Sequence, residues 1–303
     1  MQNNINKKTT PLVSILLNCY NAEKFIAKAI DSVICQSYNN WELIVWDDGS
    51  TDNTVKILEN YKDDRIFIFK KKKNVGLGKS RIEATKHLNG ELITILDADD
   101  FYHKDKIFKQ VEIFQKNKSI SICSTWAKIF DNDFKLKRIF ASELNEDKLK
   151  KRLRLLNIIP HSSIMYKKKD ALKVGWYSNK LEFAQDYDLT IKLIKEGKLF
   201  LIKEFLTNIC QPNTNMSQSE PFKKVVLEEN IYISSNILIS NQLDKKETKL
   251  LNSILDIYKI KLNLLFLKKK IIKSTINIII IIVKNPLIIF KFKISKILNN
   301  LKK

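Results

Sequence analysis

Three carboxylates fall within four residues at the end of an apolar run. The stretch is "LITILDADDF", Leu92–Phe101, and it carries Asp97, Asp99 and Asp100. Like charges this close repel one another, so the cluster needs a cation, a helix cap or a solvated turn. Two carboxylates one residue apart on a turn can share a hard divalent cation. Magnesium takes one or two carboxylates and leaves its other positions to substrate phosphates. A second acidic stretch, "WDDGSTD" (Trp46–Asp52), also follows an apolar run. One of its carboxylates could accept N–H groups of a base or a sugar hydroxyl; the alternative is a turn in which the aspartates only cap. "NVGLGKSR" (Asn74–Arg81) suggests a phosphate loop, but that motif needs a glycine where Lys73 stands, so the match fails. Arg81 can still offer a fork of donors to a phosphate.

The elements that must position these groups alternate. Val13–Leu17 is an apolar run, and Ala22–Gln36 places Phe25, Ile26, Ala29, Ile30, Val33 and Ile34 on one helical face. Leu43–Trp46 is the next run; Gly49 turns the chain, and Ser50, Thr51 or Asp52 can cap a helix carrying Val55, Ile57 and Leu58. Arg65–Phe69 reads as a third strand, Gly76–His87 as a helix and Leu92–Leu96 as a fourth strand. Such alternation implies a mostly parallel, doubly wound α/β sheet, with ligands outside the carboxyl ends of its strands. "NCYN" (Asn18–Asn21), "DDGSTD" and "DADD" all follow strand ends, so the three clusters are expected on one edge. Ile107, Phe108, Val111 and Phe114 mark a further helix, and Ile120–Trp126 a further strand. Asp100 lies too early to cap that helix. "FAQDYDLTIKLIKEG" predicts a helix stopped by Gly197.

Taken together, "VSILLNCYNAEKFIAKAIDSVICQSYNNWELIVWDDGSTDNT", "NVGLGKSRIEAT" and "GELITILDADD" resemble the family 2 glycosyltransferases, densely over residues 12–101 and thinly to about 217. The resemblance implies a GT-A (Rossmann-like) fold and an inverting sugar transfer from a nucleotide-diphospho-sugar with Mg²⁺ or Mn²⁺. By position, Asn18 and Tyr20 lie against the base, and Asp48 hydrogen-bonds it, commonly uracil. Arg81 faces the diphosphate, Asp97 the ribose and Asp99 the metal. Cys19 stands where the family commonly has proline, which leaves that turn less fixed. "FAQDYDL" resembles the family's Glu-Asp-x-Asp-Leu stretch, with Gln185 in the usual Glu place, and assigns Asp186 as general base. The plainer reading makes Asp186 and Asp188 N-terminal helix charges. His161 of "PHSSIMY" is implied as an acceptor or phosphate contact, and "CQPNTNMSQ" keeps Asn215 and Ser217 but lacks the basic pair that often precedes them.

A hydrophobic share of 44% with 29% charged residues marks a folded, globular chain. The four scattered cysteines form no CxxC pair, which argues against a zinc site or a disulfide framework. Leu12–Leu17 is short, contains Ser14 and lacks a small-residue cleavage site, so it reads as a strand and not as a signal peptide. The net charge is +21, and residues 245–303 hold fifteen lysines against Glu247 and Asp256. Ile278–Val283 is continuously apolar, but Lys273, Asn277, Lys284, Asn285 and Lys291 interrupt the roughly 20 residues that a spanning helix needs. The segment fits an interfacial anchor on an anionic membrane surface; the alternative is a packing helix with a basic outer face. Its lysines mix with Ile and Leu and not with stacking aromatics, which counts against nucleic-acid binding.

The expected organisation is a GT-A domain over residues 1–220, its nucleotide-binding half about 10–101 and its acceptor half about 102–220. A helical, lysine- and isoleucine-rich extension follows over 221–303. The expected partners are a nucleotide-diphospho-sugar donor and a glycan or lipid-linked acceptor used in cell-surface polysaccharide synthesis, at the cytoplasmic face of the cell membrane. Alternatives are a nucleotidyltransferase, for which "NCYNAEKF" lacks the Gly-rich basic loop, and a non-catalytic membrane scaffold, against which the intact Asp97, Asp99 and Asp186 count.

Overall fold

The structure is a computed structural model that describes residues 10–211, 220–240 and 243–267. Among these, nine strands make one sheet: β1 (Val13–Cys19), β2 (Trp41–Asp47), β3 (Ile66–Lys70), β4 (Leu92–Ile95), β5 (Phe101–Tyr102), β6 (Ile120–Phe130), β7 (Leu136–Phe140), β8 (Met165–Lys167) and β9 (Lys198–Cys210). The order is β3-β2-β1-β4-β8-β6-β9-β5, with β7 added on β6. β3, β2, β1 and β4 run parallel, as do β6 and β9, whereas β8, β7 and β5 pair antiparallel. Most paired residues are therefore parallel, in a mixed sheet flanked by helices, as the alternation predicts.

β1 and β2 are buried on both faces, which suits central strands written as nearly continuous apolar runs. Glu42 is the exception inside β2. It accepts hydrogen bonds from Ser14 Oγ and from the Asn89 backbone and amide at the end of the sheet away from the three polar clusters. That buried carboxylate is satisfied, and its place is structural.

Helix α1 (Ile26–Ile34) buries Ile26, Ala29, Ile30 and Val33 against the sheet. It starts four residues later than its apolar pattern, because Ala22–Phe25 forms a turn with the Phe25 N–H on the Ala22 carbonyl. Helix α2 spans Thr54–Leu58, and the expected helix Gly76–His87 divides into α3 (Leu77–Ala84) and a 3₁₀ turn, Thr85–His87. Helix α4 (Lys106–Lys116) begins well after Asp100, so Asp100 does not cap it. From α4, the buried Lys106 donates to Thr94 of β4 and to Gln110, both at 2.9 Å, which anchors the strand that leads into "DADD". Helices α5 (Glu146–Leu153), α6 (Lys168–Lys173) and α7 (Gln185–Glu196) complete this part of the chain.

Gly197 ends α7, as expected, but not through a left-handed turn. Its φ is −174°, and an added Cβ would lie 2.3 Å from Ser121 Oγ and 2.6 Å from the Ser119 carbonyl. Gly49 combines both constraints. Its φ is +77°, and a Cβ would meet the Lys73 carbonyl carbon at 2.8 Å and the Asn74 nitrogen at 2.9 Å. Backbone cannot give way as a side chain can. Gly49→Ala is therefore expected to cost about 2–4 kcal/mol from left-handed strain and overpacking. A urea titration reads this as a lowered midpoint at unchanged slope; a midpoint equal to that of the parent protein would contradict the packing.

Strands β5, β7, β8 and β9 and helices α5 and α6 were not anticipated from the sequence. The described residues divide into two compact units: one holds the sheet with α1–α7, and the other holds α8 (Glu220–Ile239) and α9 (Lys245–Leu267). In the second, α8 packs on α9, and Asp244 and Glu247 exchange side-chain-to-backbone hydrogen bonds in a capping box at the start of α9. Among the described residues no helix is long and apolar enough to cross a membrane. The expected anchor beyond Leu267 lies outside the described residues.

Candidate active site

The parallel order β2-β1-β4 brings the ends of those strands side by side, and with them "DDGSTD", "NCYN" and "DADD". The first two loops are laced together. The Asp48 N–H donates to the Cys19 carbonyl, Ser50 Oγ accepts from the Asn21 N–H, and Asn21 Oδ1 accepts from the Thr51 N–H. Asp52 accepts the Glu23 and Thr54 N–H groups, but the N-cap of α2 is the next residue, Asn53, with no side-chain cap bond, and not Ser50, Thr51 or Asp52. Proline is absent at position 19, yet these bonds hold the turn. The Cys19 thiol faces Asp47 at 3.7 Å, and burial together with that carboxylate pushes the thiol well above its ordinary value.

Around this frame, Asn18 lies one residue before the end of β1 with a buried Nδ2 that has no hydrogen-bond partner, and Tyr20, just after the strand, is 40% exposed. Asp48 is buried, and its carboxylate accepts the N–H groups of Val75 (3.1 Å) and Gly76 (3.0 Å). It thereby fixes the loop that opens α3. Two of its acceptor positions are already committed within the protein, so a base would share this carboxylate with the backbone.

Arg81, on α3, is buried and donates to Asp97 Oδ1 at 3.0 Å. Burial opposes its charge, but Asp97, Tyr177 and Asp186 outweigh that and raise its pKa. His161 Nδ1 lies 4.0 Å from the same carboxylate oxygen, and its Nε2 lies 3.2 Å from the Tyr177 hydroxyl. Burial first, then the Arg81 cation, lowers the imidazole to about 4, so the ring is neutral at pH 7. Ser162 Oγ accepts the Asp97 N–H at 3.0 Å.

The remaining carboxylates of "DADD" are held apart in role. Asp100 is buried and accepts the Cys210 N–H at 3.0 Å, tying the acidic turn to the end of β9. Burial and its two acidic neighbours push it well above the ordinary carboxylate range. Burial and Asp97 push Asp99 up to about 7. A carboxyl so raised is one that a cation would favour in its charged form. Among the described residues no three His, Cys, Asp or Glu side chains gather as a complete metal cage. The donor set fits a divalent ion that takes one or two carboxylates here and phosphate oxygens elsewhere.

Asp186 lies in the first turn of α7 and accepts from Asn157 Nδ2 at 3.0 Å. Its charge acts on Arg81, His161 and Tyr177, so the start of α7 borders the same cluster. Asp188 instead pairs with Lys192 at 2.6 Å along the helix. Gln185 is buried and donates to the Ser178 and Leu181 carbonyls, a role that a carboxylate could not fill. Asn215 and Ser217 lie outside the described residues. Tyr177, Ser162 and Asn157 were missed by the sequence reading. Only Ser162 carried a signal, as the neighbour of His161.

This sheet, with its acidic turn at a central strand end, is the fold of the GT-A glycosyltransferases. Its overall likeness to a mannosyltransferase of Pyrobaculum calidifontis, solved with GDP-Man and Mn²⁺, has a TM-score of 0.61 at 13% identity, over 97% of this chain and 80% of that one. The chain belongs to glycosyl transferase family 2, whose sequence profile matches residues 14–175, and it is a glycosyltransferase. It is 33% identical over 209 residues to the uncharacterized glycosyltransferase MJ1057 of Methanocaldococcus jannaschii, 67% of this chain and 72% of that protein. It is 28% identical over 218 residues to the Escherichia coli UDP-Glc:alpha-D-GlcNAc-diphosphoundecaprenol beta-1,3-glucosyltransferase WfgD, 71% of this chain and 82% of that protein.

Proposed function

We propose that the protein transfers a sugar with inversion from a nucleotide-diphospho-sugar, UDP-linked, to a hydroxyl of a lipid-linked glycan, in cell-surface polysaccharide synthesis. Catalysis is assigned to residues 1–220, and peripheral attachment at the inner face of the membrane to the basic extension over 221–303. The observation that carries the reading is the convergence on Arg81. This buried cation is paired with Asp97 from the turn after β4 and feels Asp186 from α7, so a donor-side and an acceptor-side carboxylate flank one anion-binding group. The donor and acceptor named for WfgD support the substrate classes, and the Mn²⁺ of the Pyrobaculum structure supports a divalent cofactor.

In this reading Asn18, Tyr20 and Asp48 hold the base, Asp97 the ribose, and Arg81 the diphosphate. Asp186 takes the proton of the acceptor hydroxyl as its oxygen attacks the anomeric carbon and the bond to the diphosphate breaks. Neutral His161, hydrogen-bonded to Tyr177, orients beside Asp97 and contacts phosphate or acceptor. Mg²⁺ or Mn²⁺ on Asp99, when bound, supplies charge neutralisation for the departing diphosphate.

The test is a donor panel. The purified chain is incubated with UDP-Glc, UDP-GlcNAc, UDP-Gal and GDP-Man, with Mn²⁺ or EDTA, and with or without a sugar-diphosphoundecaprenol acceptor. Cation-dependent release of UDP, accelerated by the acceptor, is expected from one of the UDP-sugars. Absence of both binding and release across the panel would overturn the assignment.

A further inference from the structure

Beyond the acidic turn, β6 and β7 form a hairpin whose outer strand carries an unusual surface. Its tip, Asp131–Lys135, is closed by Asp131 Oδ1, which accepts the Asp133 and Lys135 N–H groups. Phe134, at φ 57°, folds back so that its ring meets Phe25 at 6.3 Å and Phe101 at 6.0 Å. Lys28 Nζ sits 3.4 Å from the centre of Phe134 and 4.0 Å from that of Phe101. Phe101 directly follows "DADD", and Phe25 follows "NCYN" by four residues. The hairpin is thereby pinned beside the proposed catalytic edge.

The exposed part of β7 mixes two kinds of side chain. Leu136 and Ile139 are 57% and 54% exposed, and the run 134–140, "FKLKRIF", holds Lys135, Lys137 and Arg138 with no acidic residue. Leu136 pairs Phe130 and Ile139 pairs Lys128; the irregularity between them leaves Lys137 unpaired and turns Leu136 and Ile139 to the same face. Among the described residues nothing pairs the outer edge of β7. Lysines on an edge strand are a known defence against edge-to-edge pairing. That defence explains the cations but not two aliphatic side chains left more than half exposed among them.

Exposed aliphatic groups interspersed with cations along one edge strand match the headgroup and acyl boundary of an anionic bilayer. We infer that the β6–β7 hairpin docks on an anionic lipid surface and holds it against the catalytic edge, so that a lipid-linked acceptor reaches Asp186 without leaving the membrane. The inference rests on the lipid-linked acceptor of the proposed function. It is separate from the basic extension after residue 262, because it places a membrane contact in the catalytic unit itself.

The test uses the full chain with Leu136→Trp as a local probe, read against the unsubstituted protein. Phosphatidylglycerol vesicles with brominated acyl chains are expected to quench the added tryptophan, and phosphatidylcholine vesicles are not. Adding Lys135→Glu, Lys137→Glu and Arg138→Glu is expected to weaken that quenching affinity at least about tenfold, since each cation near an anionic surface is worth roughly fivefold. Cation-dependent UDP release in solution should be unchanged in these variants, which shows that they fold. Vesicle binding without quenching at position 136 would overturn the inference, as contact then lies only in the extension. Loss of self-association in the charge variants, again without quenching, would also overturn it and make the hairpin an interface between copies. Quenching without UDP release from any donor would instead strike the proposed function and leave the membrane contact standing.

Discussion

Asp186→Asn is expected to lower kcat by about 10²–10⁴ while donor affinity changes less than about threefold, the range of a lost general base. The asymmetry follows from the geometry. Asp186 rises from the first turn of α7 and is steered by Asn157, whereas the groups assigned to the donor sit at the end of β1, in the turns after β1, β2 and β4, and on α3. Asparagine preserves the shape and the bond to position 157, so a fall in turnover reports the lost proton acceptor and not a lost fold. Single-turnover transfer beside calorimetric UDP binding separates the two. Turnover within threefold of the parent would remove Asp186 as the base. Asn157→Ala leaves the carboxylate in place but unsteered, and its loss should be smaller and confined to kcat.

The parts of this site that could be read from sequence were those encoded by strand ends. Asp97 and Asp99 follow a buried apolar run, so their edge position is local information that survives folding. Asp48 was also legible in place, but its bonds to the Val75 and Gly76 amides, 27 and 28 residues on, were not. Tyr177 and Ser162 reach the site only through tertiary packing, and no spacing rule connects either to Asp97. The same holds for Asp100, whose partner, the Cys210 N–H, is 110 residues away. β9 was hidden for a different reason. Lys203 and Glu204 break its apolar pattern where the register against β6 also shifts, and a two-residue period cannot carry through such an irregularity. The hairpin surface was hidden because "FKLKRIF" reads as an ordinary charged edge until pairing shows which side chains share a face.

Asp99→Asn should act in opposite directions on binding and on stability. UDP affinity in Mn²⁺ is expected to fall to the level measured in EDTA, because the amide cannot supply the charge that balances the cation. Without metal, the same substitution should stabilise the fold. Burial and Asp97 hold the Asp99 carboxyl up at about 7, against an ordinary value of 3.8. A folded-state pKa above the unfolded one means that stability is full below the unfolded value and is lost as pH rises through the folded one. The variant has no such group to ionise. Its advantage should be absent at about pH 4, grow through about pH 7, and reach on the order of 1–3 kcal/mol at pH 8, given about 1.4 kcal/mol per pKa unit before relaxation. Thermal melts in EDTA across that pH range measure the gain, and calorimetry with UDP measures the loss. A variant that kept the pH-dependent strain would show that Asp99 is not its source. A variant that gained stability but kept metal-linked binding would move the ion to Asp97. The joint outcome, tighter fold and lost ligand, is what a carboxylate kept for function at a cost to stability should produce.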